Sequence, residues 1–405
     1  MKLEEFPIPK AGGDPIDTYL ELGLALGRHI DGFVDAYYGP PDLAARAAAE
    51  PVRDPAELAN RARRLLADLA VERSYEGARR RFLLAQVEGM RTTALKLAGQ
   101  PIGYLDEVEQ CYGVRPALVA EDEFAAAHRR LAEVLPGSGP LSDRYIGWRE
   151  SQVVPIEKLG PAVDALTEEF QYRTGEMWGL PEGEQVEFEL VTDAPWAGFN
   201  FYLGGLRSRV AINVDLPVLA TSLGHLVAHE AYPGHHTEHC RKELTLVGRR
   251  WQLEETIFLV GTPQCLVAEG LADLGLELVA GRRPEPLLGE ILDSVGVAYD
   301  PDVTGQLAEA GEILGRVRGN AALLLHDQGM AVEDVVDYLA RWSLISPVRA
   351  EKAVQFLTDP TWRAYIFCYT EGLPLCRRFV NDDPARFRRL ISEQLTPAEL
   401  AATQV

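Results

Sequence analysis

Five of the eight histidines in this 405-residue chain fall within fifteen residues, His225 to His239, reading H-L-V-A-H-E-A-Y-P-G-H-H-T-E-H. Neutral imidazole is the commonest protein ligand for zinc and similar metals, so a histidine cluster with a carboxylate inside it points first to a metal site. His229-Glu230 opens an H-E-x-x-H pattern, in which two histidines one helical turn apart bind zinc and the glutamate is general base. Pro233 occupies the position of the second histidine. A proline there removes an amide donor and clashes with the carbonyl of His229, and Gly234 loosens the next turn. In an unbroken helix His235 would sit about 240° round from His229, and His236 would lie about 10 Å along the axis, so neither could share an ion with it. Looping out Pro233 and Gly234 removes two residues from the helical count and brings His235 to the slot one turn after His229. His229 and His235 are therefore the expected ligands, with His236 the less favoured alternative to His235. His236 would then point roughly 100° further round, toward substrate or a partner of the ligands. His225 and His239 are expected at the surface or as partners of the ligands.

A zinc site with two histidines needs a third protein ligand, commonly glutamate, and leaves the fourth position open. Glu269-Gly270-Leu271-Ala272-Asp273 places two carboxylates four residues apart, on one helical face. Their neighbours Leu266, Val267, Leu271, Leu274 and Leu276 leave little polar surface for an unpartnered charged pair. Glu269 is the expected third ligand. Asp273 can accept the second ring N–H of a ligating histidine and so orient it. One such set is visible, so one Zn2+ per chain is expected.

The elements that must hold these residues are mostly helical. Apolar residues recur at three- and four-residue steps from Ile16 to Tyr37, and Gly39-Pro40-Pro41 ends that run. Further helices are expected from Pro55, over Tyr75 to Ala98, over Glu121 to Leu135 and over Ile156 to Met177. Arg79, Arg80 and Arg81 read as a solvated face. Val186 to Leu190 alternates as a half-buried strand does, and Phe199 to Leu203 and Arg209 to Val214 follow as two more, joined through Gly204 and Gly205. The fold expected is thus mostly α, with a small antiparallel β-sheet beside the metal helix. A sheet edge there can pair with an extended peptide, or the sheet can simply brace the helices. Pro217 fits the first turn of the helix carrying His225 and His229, and Thr262 with Pro263 opens the helix carrying Glu269. The loop from Pro136 to Pro140 is the expected boundary between an N-terminal helical layer, residues 1–135, and a zinc-site region, residues 136–405, the two closely packed.

Lys and Arg number 40 against 61 Asp and Glu, giving a net charge of −21. That field repels phosphate backbones and anionic lipid, which argues against nucleic-acid and membrane partners. The five cysteines are scattered and lack C-x-x-C spacing, as expected of reduced thiols. The N-terminal M-K-L-E-E-F-P-I-P-K has no apolar run of a signal peptide, and no stretch is long enough to span a bilayer. A cytoplasmic location is expected.

H-E-A-Y-P-G-H-H followed by A-E-G-L-A resembles a bacterial family of unknown function that carries H-E-x-x-P-G-H-H and E-G-x-A. That family is similar in turn to zinc peptidases of the gluzincin type, in which a helix with E-x-x-x-D supplies the third ligand. The resemblance runs from Tyr112-Gly113-Val114-Arg115-Pro116 through the C-terminal helices, and includes Leu325-His326 with Gly329 and Tyr369-Thr370-Glu371-Gly372. Glu238 departs from it, standing where the family has Gln. The resemblance implies zinc, a mostly helical fold and hydrolysis of peptide amides, with Glu230 as general base. It also makes His326 and Tyr369 candidates to hydrogen-bond the tetrahedral oxyanion. Arg318 and Asn320, just before His326, are candidates to bind a substrate carboxylate. Two other classes fit parts of the pattern. One is a metal-binding but catalytically silent helical scaffold. The other is a di-iron carboxylate bundle, for which Glu230 to His235 and His236 has the wrong spacing.

Overall fold

A computed structural model describes residues 14–194 and 196–402, so the N-terminal M-K-L-E-E-F-P-I-P-K segment lies outside it. The chain is mostly helical with small sheets, as its periodicity implies. Helix α1 (Pro15–Gly27) opens where the Asp14 side chain accepts the N–H of Ile16, with Pro15 at the first position, where a missing amide costs nothing. The helix expected to run on to Tyr37 stops at Gly27. Val34–Tyr37 is instead strand β1, paired antiparallel with β5 (Ile257–Leu259). A partner more than two hundred residues away leaves no mark on local periodicity.

Helices α2 (Pro41–Ala49), α3 (Pro55–Val71) and α4 (Gly77–Leu97) complete the first layer. Leu20, Leu26, Leu58, Leu65, Leu83 and Val87 build its core, to which Ile257 and Leu259 of β5 also belong. Arg79 is not on a solvated face. It makes a two-pronged ion pair, 2.6 and 2.7 Å, with the buried Glu254.

Helices α5 (Tyr104–Tyr112), α6 (Glu121–Val134), α7 (Leu141–Ser151) and α8 (Ile156–Trp178) follow. Val108, Phe124 and Leu131 are buried in the same larger core as Phe170 and Leu271, so the expected boundary at Pro136 falls inside that core. The sheet of β2 (Gln185–Val191), β3 (Gly198–Tyr202) and β4 (Arg207–Asn213) has the order β2-β4-β3. It is mixed, not antiparallel throughout: β3 runs against β4, but β2 runs parallel to it from Gln185↔Arg207 to Val191↔Asn213. The link after β2 carries the chain past β4's place to the far edge, which forces β2 and β4 to the same direction and leaves β3 as an edge strand.

Helix α9 (Ala220–Glu230) starts at Ala220, three residues after Pro217, because backbone bonds from Val154 to Val218 and from Ala220 to Gln152 tie down its entry. Helix α10 (His235–Lys242) continues into a wide turn at Glu243–Val247 and the short α11 (Gly248–Arg250). After β5, α12 (Pro263–Ala280) crosses the larger core. Helices α13 (Glu285–Ser294), α14 (Pro301–Gly315), α15 (Val317–His326), α16 (Val332–Ser343), α17 (Pro347–Thr358), α18 (Ile366–Val380), α19 (Pro384–Leu390) and α20 (Pro397–Ala402) close the fold.

Helices α12 and α18 cross at two glycines. A Cβ on Gly270 would lie 2.3 Å from the carbonyl oxygen of Gly372, and one on Gly372 would lie 2.7 Å from that of Leu266. Each motif glycine is thus fixed by backbone-to-backbone contact. Glu238 is buried and takes a 2.7 Å bond from Lys242, also buried one turn on, so the residue that departs from the family pattern has its charge matched locally. No helix among the described residues is long and apolar enough to cross a membrane.

Candidate metal centre

Helix α9 ends at Glu230, and α10 begins five residues later at His235. Two backbone bonds span the break: Gly234 N–H donates to Ala228 O and Thr237 N–H to Ala231 O, at 3.0 and 3.2 Å. Each reaches back six residues where an α-helix reaches back four, so two residues are in excess at this point. Gly234 is required by contact, since a Cβ there would sit 1.9 Å from His229 O. Asn200 on the edge strand donates to the carbonyl of Glu230 at 2.6 Å and satisfies that end of α9. No local pattern in the sequence marks Asn200 for this role.

The break brings His235 to His229, with their Nε2 atoms 3.1 Å apart. Glu269 on α12 completes the set: its Oε2 is 3.4 Å from His229 Nε2, and its Oε1 is 3.6 Å from His235 Nε2. The three residues form a group whose ligand atoms all lie within 4.8 Å of one another. Bonds of the length zinc makes to nitrogen and oxygen, set tetrahedrally, would put neighbouring ligand atoms about 3.3 Å apart. The observed separations scatter around that value. Glu269 Oε2 is buried and has no hydrogen-bond partner, as an atom reserved for a cation would be. The donor set therefore fits zinc.

The surroundings favour positive charge at this point. His229 Nδ1–H donates to Asp273 Oδ1 at 2.9 Å, which leaves Nε2 unprotonated when a metal is bound. His225, half exposed, approaches the same oxygen at 3.3 Å. Burial opposes a charged His229, but the bond to Asp273 and the facing Glu269 carboxylate outweigh it and raise its pKa well above the ordinary value. His235 is raised for the same reason, against burial and the charge of His229. Burial would push Glu269 and Asp273 up, yet their histidine partners hold both below the ordinary range, Asp273 at about 2. Glu230 stands apart from this network. Burial and the charge of Glu269 raise its pKa, with His229 and His235 pulling the other way. Its Oε1 lies beside Gly198, where a Cβ would come within 3.2 Å.

The remaining candidates divide. His236 turns away from the cluster and is fully buried, with Nδ1 2.8 Å from Ser208 Oγ and Nε2 2.7 Å from Glu184 Oε2. Tyr232 and Gln171 donate to the same Glu184 carboxylate. His239 is half-buried against the rings of Tyr202 and Phe258. Tyr369 on α18 is exposed, its ring 5.3 Å from that of Tyr365. Tyr365, one turn earlier and buried, donates to Glu269 Oε1 at 2.7 Å. It was missed in the sequence, although Y-I-F-C-Y places it on the same face as Tyr369.

His326 is a correction. Its Nε2 lies 2.6 Å from the carbonyl of Leu357 and its ring packs on Tyr104, so its recorded contacts are structural and none is with the cluster. Asn320 is another. It exchanges two 2.8 Å bonds with the backbone of Val119 and donates to Tyr338, so no donor is left for a substrate carboxylate. Arg318 is different. It lies on α15 where that helix meets α18: a Cβ on the adjacent Gly319 would lie 3.3 Å from Thr370 Oγ1. Its side chain reaches solvent in crowded surroundings, where burial and then Arg149 lower its pKa against the effect of Tyr369. Among the described residues no carboxylate pairs with it.

No family model matches the chain, and no curated protein does. Solved structures show its fold. It is similar to a proposed lipoprotein from Colwellia psychrerythraea at 17% identity and a TM-score of 0.55, over 86% of this chain and 66% of that one. The chain therefore spans about two thirds of that protein's length. The M32 carboxypeptidase from Deinococcus radiodurans R1 aligns over 96% of this chain and 94% of its own, at 13% identity and a TM-score of 0.43. A proposed lipoprotein of unknown function from Shewanella oneidensis does so over 96% and 82%, at 12% identity and 0.47. At 17% identity the likeness to the Colwellia psychrerythraea protein speaks for fold alone.

Proposed function

We propose that the chain is a zinc-dependent hydrolase of peptide amides. The observation that supports this most is the spacing of the His229, His235 and Glu269 donor atoms, which suits a single tetrahedral ion, together with the unpartnered Glu269 Oε2. His229, His235 and Glu269 would hold the ion, and Asp273 would orient His229. Zinc bound there would supply Lewis acidity, lowering the pKa of water and polarising a substrate carbonyl.

The chain's own groups supply the rest. The Glu230 carboxylate accepts the proton of the attacking water and passes it to the leaving amine; its burial raises its affinity for that proton. Asn200 holds the carbonyl of Glu230 and so fixes where its side chain starts. Tyr369, whose ring meets that of Tyr365, would donate to developing negative charge, and Arg318 would bind a substrate carboxylate. Edge strand β3, with Trp196, Phe199 and Phe201 clustered along it, offers backbone pairing and an apolar wall to an extended peptide. The five free cysteines are all buried, which suits a reducing compartment such as the cytoplasm.

Purified protein should carry one zinc per chain and cleave members of a mixed peptide library. Glu230→Gln should keep the zinc and lose about 10²- to 10⁴-fold in rate. A zinc-loaded parent no more active than that variant would make the chain a silent metal-binding scaffold, and two tightly held ions per chain would overturn the ligand assignment.

A further inference from the structure

Glu269 could meet an ion with one oxygen or with two, and the number decides what the centre is for. Its Oε2 lies 3.4 Å from His229 Nε2 and its Oε1 3.6 Å from His235 Nε2. Each oxygen thus faces one histidine, and position alone favours neither arrangement. Bound through both oxygens, Glu269 would give the ion four protein donors together with the two histidines, the closed set of a structural site. Bound through one, it leaves the fourth position open, as catalytic sites do.

Tyr365 is what makes the two oxygens different. Its hydroxyl donates to Oε1 at 2.7 Å, while Oε2, buried as well, has no hydrogen-bond partner. A hydrogen bond to an ionised acceptor is one of the stronger kind, and such a donor behind a ligating carboxylate fixes its orientation. Here it holds Oε1 to the phenol and leaves Oε2 as the free donor. Tyr365 has little room to do otherwise. It is 8% exposed and walled by three rings set nearly edge-on, Tyr112 of α5 at 6.4 Å, Trp362 at 5.5 Å and Tyr369 at 5.3 Å. Its N–H donates to Trp362 O at 3.0 Å and its carbonyl accepts the N–H of Cys368 at 2.8 Å, which anchors it at the start of α18. Tyr112 opens the Tyr-Gly-Val-Arg-Pro stretch and Tyr369 opens Tyr-Thr-Glu-Gly, so two of the stretches that carry the family resemblance meet on this one ring.

We propose that Tyr365 is a positioning residue that restricts Glu269 to binding the ion through Oε2 alone, and so keeps the fourth coordination position open for water and substrate. The inference rests on the metal site of the hydrolase reading, and coordination can be read whether or not peptide is cleaved.

Tyr365→Phe keeps the ring and its aromatic walls and removes only the donor. Parent and variant, stripped of metal and reloaded with Co2+, are compared by visible absorption, which is far stronger for four-coordinate than for five-coordinate cobalt. Zinc titration and crystal structures of the zinc-loaded proteins accompany the spectra. The parent should give the strong four-coordinate spectrum, with Oε2 bonded to the ion and Oε1 still on Tyr365. Tyr365→Phe should lose absorbance as Oε1 joins the ion, and should bind zinc about 10- to 100-fold more weakly because Glu269 has lost its orienting partner. Identical cobalt spectra overturn the proposal even if zinc affinity falls, since a bond that only braces the protein would give that result. A parent in which both Glu269 oxygens bind the ion overturns it too. If the spectra differ as expected but the parent cleaves no peptide, the hydrolase reading falls and the positioning role stands. A parent that takes up neither cobalt nor zinc overturns both.

Discussion

His235 and His236 are neighbours in sequence, yet the break at Pro233-Gly234 sends them to opposite tasks, and replacing each with alanine should separate metal binding from stability. His235 is 3.1 Å from His229 and faces Glu269, so His235→Ala removes one of three ligands and zinc binding should collapse. The metal-free protein should lose less stability than in His236→Ala, because Glu269 keeps His229 and Tyr365 as neighbours when His235 is gone. His236→Ala does the reverse. Its ring is fully buried, and it is bound to Ser208 and to Glu184, whose side chain is 6% exposed. Removing it leaves Glu184 charged and buried with two neutral donors, Tyr232 and Gln171. Breaking one partner out of a buried pair costs about 3–5 kcal/mol. Zinc titration of the two metal-free variants, with urea unfolding of each beside the parent, reads both quantities. Loss of zinc in His236→Ala with retention in His235→Ala would refute the two-residue excess at the break. Unchanged stability in His236→Ala would refute the structural role of its network.

Asn320→Ala should destabilise the protein by about 2–4 kcal/mol, since it removes two bonds to Val119 and one to Tyr338. Its KM for peptides should not change, and a raised KM in a stably folded variant would return Asn320 to the substrate site. Gly270→Ala places a Cβ 2.3 Å from Gly372 O, so α12 and α18 must part. We expect about 1–3 kcal/mol of destabilisation together with weaker zinc binding, because Tyr365 then loses its hold on Glu269. Unaltered zinc affinity and stability would show that the crossing tolerates a methyl group.

What was legible in the sequence was what local geometry dictates. The helical period marked most of the helices, and the alternation of Val186 to Leu190 marked β2. A proline and a glycine between Glu230 and His235 implied a two-residue excess because helical spacing is fixed at each step. Glu269 and Asp273 share a face for the same reason. Those inferences concern residues within a few turns of one another, where the backbone sets positions without help. Tertiary structure alone decided the rest. The end of α1 and the start of β1 depend on β5, and the parallel run of β2 and β4 depends on a crossing that no local pattern records. His326 and Asn320 carry residue types that chemistry uses, but their partners, Leu357 and Val119, come from other parts of the chain and turn both into packing. Tyr365 and Asn200 reach the metal centre from α18 and β3. Side-chain type says what a residue can do, and only the packing of distant elements says what it meets.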